Sequence, residues 1–133
     1  TRFSPATLAE LCDAVGAALA AEEPLELVAG GSKRALGRPL QTPHTLDLGR
    51  LSGIRDYEPS ELVLTAGAAT PLGDIERTLA AAGQMLPFEP PDWRALLGSG
   101  DTAGPTLGGI LACNLSGPRR IRAGERRCAA GGK

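Results

Sequence analysis

A chain of 133 residues with 42% hydrophobic content holds enough apolar mass for one compact domain or half of a larger one, which excludes disorder of the whole. Its formal net charge of -1 supplies no field to draw nucleic acid or an anionic membrane, and aromatics at 3% leave no ring-rich surface for stacking bases. No apolar run reaches the roughly 20 residues that span a bilayer; with no signal peptide at Thr1-Arg2-Phe3, the chain reads as cytoplasmic, without direct membrane insertion.

Ser4-Pro5 offers a capping hydroxyl followed by proline at a first helical position, and Leu8, Leu11, Val15 and Leu19 recur at helical spacing. The first predicted element is therefore an amphipathic helix, broken by Glu22-Glu23-Pro24. Leu25-Glu26-Leu27-Val28 is a short β-prone run that delivers the Gly30-Gly31 turn. Thr45-Leu46-Asp47-Leu48 reads as a second strand, residues 53–57 as an edge or turn segment, and residues 61–66 as a third strand. A second helix is predicted to start with Thr70 as its cap and Pro71 at its first position, to carry the stripe Leu72, Ile75 and Leu79, and to end at Gly83 in the left-handed conformation. Such alternation implies a layered α/β or α+β fold.

Beyond Leu86 the prolines Pro87, Pro90 and Pro91 rule out a regular helix, and residues 93–104 read as a surface insertion built on turn chemistry at Gly98-Ser99-Gly100-Asp101. Residues 119–133 are basic and nearly free of large apolar side chains, as in a frayed tail.

Cys12, Cys113 and Cys128 include no CxxC pair and stand beside one histidine, His44, a set that fits neither a zinc site nor a disulfide framework. No metal is expected, and the thiols read as reduced, small buried hydrophobes. His44 lies between Pro43 and Thr45, far in sequence from any nucleophile, so no catalytic residue is assigned.

Two glycine segments carry the chemistry. Gly30-Gly31-Ser32-Lys33 is either an ordinary turn or a nest of backbone N–H groups facing a diphosphate, with the Ser32 hydroxyl and Lys33 ammonium as further donors. Neither GxGxxG nor GxxxxGK[ST] is present, which excludes the Rossmann fingerprint and the P-loop. Gly108-Gly109, followed by Ala112, Asn114, Ser116 and Gly117, places small residues where a half-buried segment normally carries bulk. That pattern fits main chain lying flush against a flat ligand, a glycine-softened strand, or tight helix-to-strand packing. Arg119 and Arg120 suit phosphate, a partner's carboxylates or plain solvated surface.

Taken in order, Leu27-Val28-Ala29-Gly30-Gly31-Ser32-Lys33, Leu36-Gly37-Arg38-Pro39, Thr45-Leu46-Asp47, the run from Tyr57-Glu58-Pro59 to Ala66, Gly83-Gln84-Met85-Leu86-Pro87-Phe88-Glu89-Pro90-Pro91, and Thr106-Leu107-Gly108-Gly109 through Arg120 resemble the FAD-binding small subunits of bacterial glycolate oxidases. These belong to the vanillyl-alcohol-oxidase-type, or PCMH-type, FAD-binding family. The resemblance implies a first, parallel α/β subdomain and the start of a second, incomplete at the C-terminus, with FAD between the two. It divides the chain into an FAD-binding part, residues 1–124, and a divergent tail, residues 125–133.

By the same resemblance, Ala29, Gly30, Gly31, Ser32 and Lys33 hold the cofactor's diphosphate. Thr106, Leu107, Gly108, Gly109, Ala112, Asn114, Ser116 and Gly117, with Pro87, run along the rest of the FAD. Ser116 replaces a glycine of the family pattern. Ser32 stands where flavin-tethering relatives place histidine, which implies non-covalent FAD. The implied function is a truncated FAD-binding subunit of a glycolate-oxidase-like 2-hydroxy-acid dehydrogenase, inactive by itself. Its implied partners are a larger FAD-binding subunit and an iron-sulfur subunit, through which any membrane association would be made. The alternative is a non-catalytic assembly module that docks on the larger flavoprotein subunit without binding FAD.

Overall fold

The structure, a computed structural model, describes residues 1–100 and 103–118. Its first layer is a parallel sheet in the order β1-β3-β2, where β1 is Arg2–Phe3, β2 is Leu25–Val28 and β3 is His44–Asp47. The central strand registers Leu46 against Phe3 on one side and Leu27 on the other, and Leu46 is 0% exposed. β1 is too short to leave a periodic signal, so sequence patterning passed over it.

Helix α1, Leu8–Ala20, connects β1 to β2. It begins later than Ser4-Pro5 indicated. Thr7 is the cap: its hydroxyl accepts the Glu10 N–H at 3.2 Å, while the Glu10 carboxylate accepts the Ala6 N–H at 2.7 Å. The pattern Thr-x-x-Glu at residues 7–10 thus outcompetes Ser-Pro, because it satisfies two amides near the helix start. Its apolar stripe is largely uncovered: Leu8 is 70% exposed and Leu19 is 79% exposed, and Ala18 is the buried residue of α1. The described thiols, Cys12 and Cys113, are free and exposed rather than buried. Cys128 lies outside the described residues, as do the predicted tail and Arg119 and Arg120.

The second layer is an antiparallel hairpin of β4, Ile54–Glu58, and β5, Val63–Ala66. The segment read as an edge or turn is a full strand, with a register shift between Ile54 and Asp56. Helix α2, Leu72–Ala81, packs Leu72, Ile75 and Leu79 inward, as their spacing predicted. Its cap is Pro71, not Thr70. Thr70 is buried, and its hydroxyl donates to the Gly67 carbonyl at 2.7 Å and accepts the Gly53 N–H at 2.9 Å. It ties the two ends of the hairpin to the start of α2 instead of capping the helix.

At the other end of α2, Gly83 adopts φ 68° as expected, with its N–H on the Ala80 carbonyl and that of Gln84 on the Leu79 carbonyl. The Gln84 side chain then accepts the Tyr57 hydroxyl at 2.6 Å and donates to the Pro59 carbonyl at 2.7 Å, fixing the helix end to the hairpin.

Of the predicted surface insertion, Asp101 and Thr102 lie outside the described residues, and the remainder is more than turns. Arg94–Leu97 forms the short helix α3, ended by Gly98 at φ 66°, and Gly104 is buried. Helix α4, Leu107–Ala112, follows, with Ile110 in the core.

Candidate functional site

β2 ends where the first glycine segment begins, so Ala29 and Gly30 leave the parallel sheet directly into the turn at Ser32 and Lys33. Gly31 has φ 72° and forms a parallel bridge with Gly104. The residues after Gly104 bind to the base of α2. Pro71 and Thr106 form an antiparallel bridge, the Leu72 N–H donates to Pro105, Leu107 donates to Thr70, and Gly108 donates to Ala68 at 2.7 Å. Residues 104–108 therefore join the first glycine loop on one side to the hairpin and α2 on the other, and the two glycine segments lie in one place.

The second segment is helical, which rules out the glycine-softened strand. The buried Thr106 caps α4, its hydroxyl accepting the Gly109 N–H at 3.3 Å. The glycines divide by what surrounds them. A β-carbon on Gly30 would run into the Gly104 carbonyl, one on Gly108 into Ala68, and one on Gly117 into the Glu89 carbonyl, all closer than 3.0 Å. A β-carbon on Gly109 would meet the Thr106 hydroxyl alone, at 3.3 Å. Close packing of backbone on backbone thus accounts for Gly30, Gly108 and Gly117.

Asn114 also has a backbone reason. At φ 50° it terminates α4, with its N–H on Leu111 and that of Leu115 on Ile110, a conformation that asparagine tolerates better than most residues. Ser116 accepts the Glu89 N–H at 3.2 Å, which brings the proline loop with its half-buried Pro87 against the end of the second segment. Ala112 sits exposed on the last turn of α4.

Charge gathers beside the first loop. Arg94 pairs with Asp92 at 2.7 Å and its guanidinium lies against Gly104, 3.4 Å from where a β-carbon would stand. Hydrogen bonding from Arg94 holds the Asp92 carboxyl below its ordinary range, and the charge of Lys33 acts in the same direction. The Ser99 hydroxyl donates to the Ser32 carbonyl at 3.1 Å. Sequence reading missed Arg94, Ser99 and Gly104 as neighbours of the loop. The one local signal was Gly104-Pro105, a pair that marks a turn but not what the turn packs against.

His44 is elsewhere. It starts β3 opposite Leu25, at the end of the parallel sheet away from Gly30. Its Nε2 is 2.5 Å from the Glu23 carboxylate, its ring is tilted against Phe3, and its Nδ1 is buried without a hydrogen-bond partner among the described residues. Among the described residues no group of three His, Cys, Asp or Glu side chains is placed to hold a metal, and no helix is long and apolar enough to cross a membrane.

A mixed α/β architecture with two glycine segments brought together at the end of a parallel strand defines a domain class, and the chain belongs to the FAD binding domain family, which it matches over residues 2–127. Its cofactor is FAD. Over 117 residues, 88% of its length, the chain is 45% identical to the glycolate oxidase subunit GlcE of Escherichia coli (strain K12). It spans 31% of the length of that relative.

Proposed function

We propose that the chain holds FAD non-covalently for electron transfer in a glycolate-oxidase-like 2-hydroxy-acid dehydrogenase. The observation that carries this reading is the Gly31–Gly104 bridge, which makes one continuous site of the two glycine segments. The residues present fit the group. A left-handed glycine in a tight turn converges backbone amides, Lys33 adds a cation, and Gly109 leaves room that a β-carbon would take.

In this reading Ala29, Gly30, Gly31, Ser32 and Lys33 bind the diphosphate through main-chain N–H groups, the Ser32 hydroxyl and the Lys33 ammonium. Thr106, Leu107, Gly108 and Gly109 shape the adjoining wall, and Ala112, Asn114, Ser116, Gly117 and Pro87 extend it. When bound, the flavin supplies the redox chemistry, accepting a hydride equivalent and passing electrons on. This chain's residues bind and orient it, and none is assigned as a catalytic base. Residues 1–124 form the binding unit, with residues 125–133 outside it. Assembly with a larger FAD-binding subunit and an iron-sulfur subunit, and membrane association through them, belong to the same proposal, supported by the relative's being named a subunit.

The outward apolar face of α1 favours a second reading, a docking module that leaves FAD unbound. FAD titration separates the two. A saturable change in flavin fluorescence supports the cofactor reading, and none at any FAD concentration supports the docking module. Acid precipitation of the loaded protein should leave all flavin in the supernatant, because Ser32 offers no imidazole for tethering; a flavin mass increment on the denatured chain contradicts non-covalent binding.

A further inference from the structure

The first glycine loop is gripped from outside itself. The Ser99 hydroxyl, 67 residues downstream, donates to the Ser32 carbonyl, Gly104 bridges Gly31, and the Gly104 carbonyl fills the space beside Gly30. Gly104 is itself left-handed at φ 87°, with the Arg94 guanidinium against it and Asp92 fixing that guanidinium. Three consecutive loop residues are thus held by Ser99 and Gly104. Glycine samples backbone conformations more widely than any other residue, so a Gly-Gly turn anchored by β2 alone would be a poor template for converging amides. Binding to such a turn would lose affinity to the ordering of the loop.

We propose that Ser99 and Gly104 are positioning residues for a diphosphate ligand, acting through the loop by fixing Gly30, Gly31 and Ser32 in their binding shape before the ligand arrives. The identity of the ligand rests on the function proposed above, whereas the grip is a property of the FAD-free chain.

The test compares Ser99→Ala and Ser99→Thr with the parent chain, by hydrogen exchange without FAD and by FAD fluorescence titration. Loss of one hydrogen bond from an ordered loop predicts about three- to tenfold faster exchange over residues 29–34 and a similar rise in the FAD dissociation constant for Ser99→Ala. Ser99→Thr, which keeps the hydroxyl, should restore both. Unchanged exchange over residues 29–34 in Ser99→Ala overturns the grip. Faster exchange with unchanged FAD affinity overturns the positioning role and leaves a structural one. Faster exchange in a chain whose parent binds no FAD supports the grip and overturns the cofactor reading alone.

Discussion

The carbonyl oxygen of Gly104 occupies the space that a β-carbon on Gly30 would need. The first glycine loop is therefore closed against the segment leading into α4, and at Gly30 the missing side chain is a packing requirement. Gly109 has no such neighbour beyond the Thr106 hydroxyl, which has only to yield slightly.

The two positions should separate under substitution. Gly30→Ala forces backbone apart and is expected to lower stability by about 1–3 kcal/mol, with or without FAD. Gly109→Ala replaces glycine inside a helix and should hold stability level or raise it by about 0.5–1 kcal/mol. If Gly109 faces the cofactor, its alanine variant should nonetheless bind FAD more weakly. Thermal unfolding with and without FAD reads both effects, and equal destabilisation by the two substitutions would contradict the division.

Glu22 ends α1 in the same way that Gly83 ends α2. Its φ is 55°, its N–H reaches Leu19 and that of Glu23 reaches Ala18. A side chain in that conformation is strained by roughly 1–2 kcal/mol, which glycine avoids. Glu22→Gly should raise the denaturation midpoint by a shift worth about 1 kcal/mol, less than the full strain because glycine also enlarges the unfolded ensemble. A fall in stability would contradict the motif.

Thr70 offers a sharper test of the hairpin. Thr70→Val keeps its volume but takes the acceptor from the Gly53 N–H and leaves the buried Gly67 carbonyl with the residue-70 N–H as its donor in place of two. The expected loss is about 1–3 kcal/mol. A loss no larger than that of an exposed threonine would mean that the Gly53 N–H finds another partner.

Acid should act through Asp47. The Arg2 guanidinium, first, and the Gly49 N–H, second, hold its carboxyl below the ordinary aspartate range. A carboxyl lowered by folding stabilises above its unfolded value, and that contribution is lost as pH falls through the lowered folded value, here below about pH 4. Asp47→Asn should reduce stability at neutral pH and flatten the acid limb of the stability curve. An unchanged limb would show that the pair contributes nothing in solution.

What the sequence made legible was local. The spacing of Leu72, Ile75 and Leu79 gave the buried face of α2, and Gly83 gave its end, because both depend on residues a turn or two apart. Glu22 hid an identical helix end, since its side chain advertises nothing about a left-handed backbone. At α1 two capping patterns stood three residues apart, and the stronger, Thr7 with Glu10, was overlooked for Ser4-Pro5. Thr70 has the composition of a cap and serves as a buried tie, a choice set by Gly53 and Gly67 across the hairpin.

The candidate site divided along the same line. Its two glycine segments were visible from their small residues, but the contact of Gly31 with Gly104, and of Ser32 with Ser99, joins positions far apart in the chain and leaves no mark in local spacing. The helical form of residues 107–112 was equally hidden, because two adjacent glycines weaken any helix signal.

The most direct test of the central claim is an FAD titration of the isotope-labelled chain followed by amide NMR, which detects even weak binding residue by residue. The account expects saturable shifts concentrated at the amides of Gly31, Ser32, Lys33 and Gly109, reduced in Gly31→Val. Shifts absent at high FAD, or centred on the exposed face of α1, would contradict it.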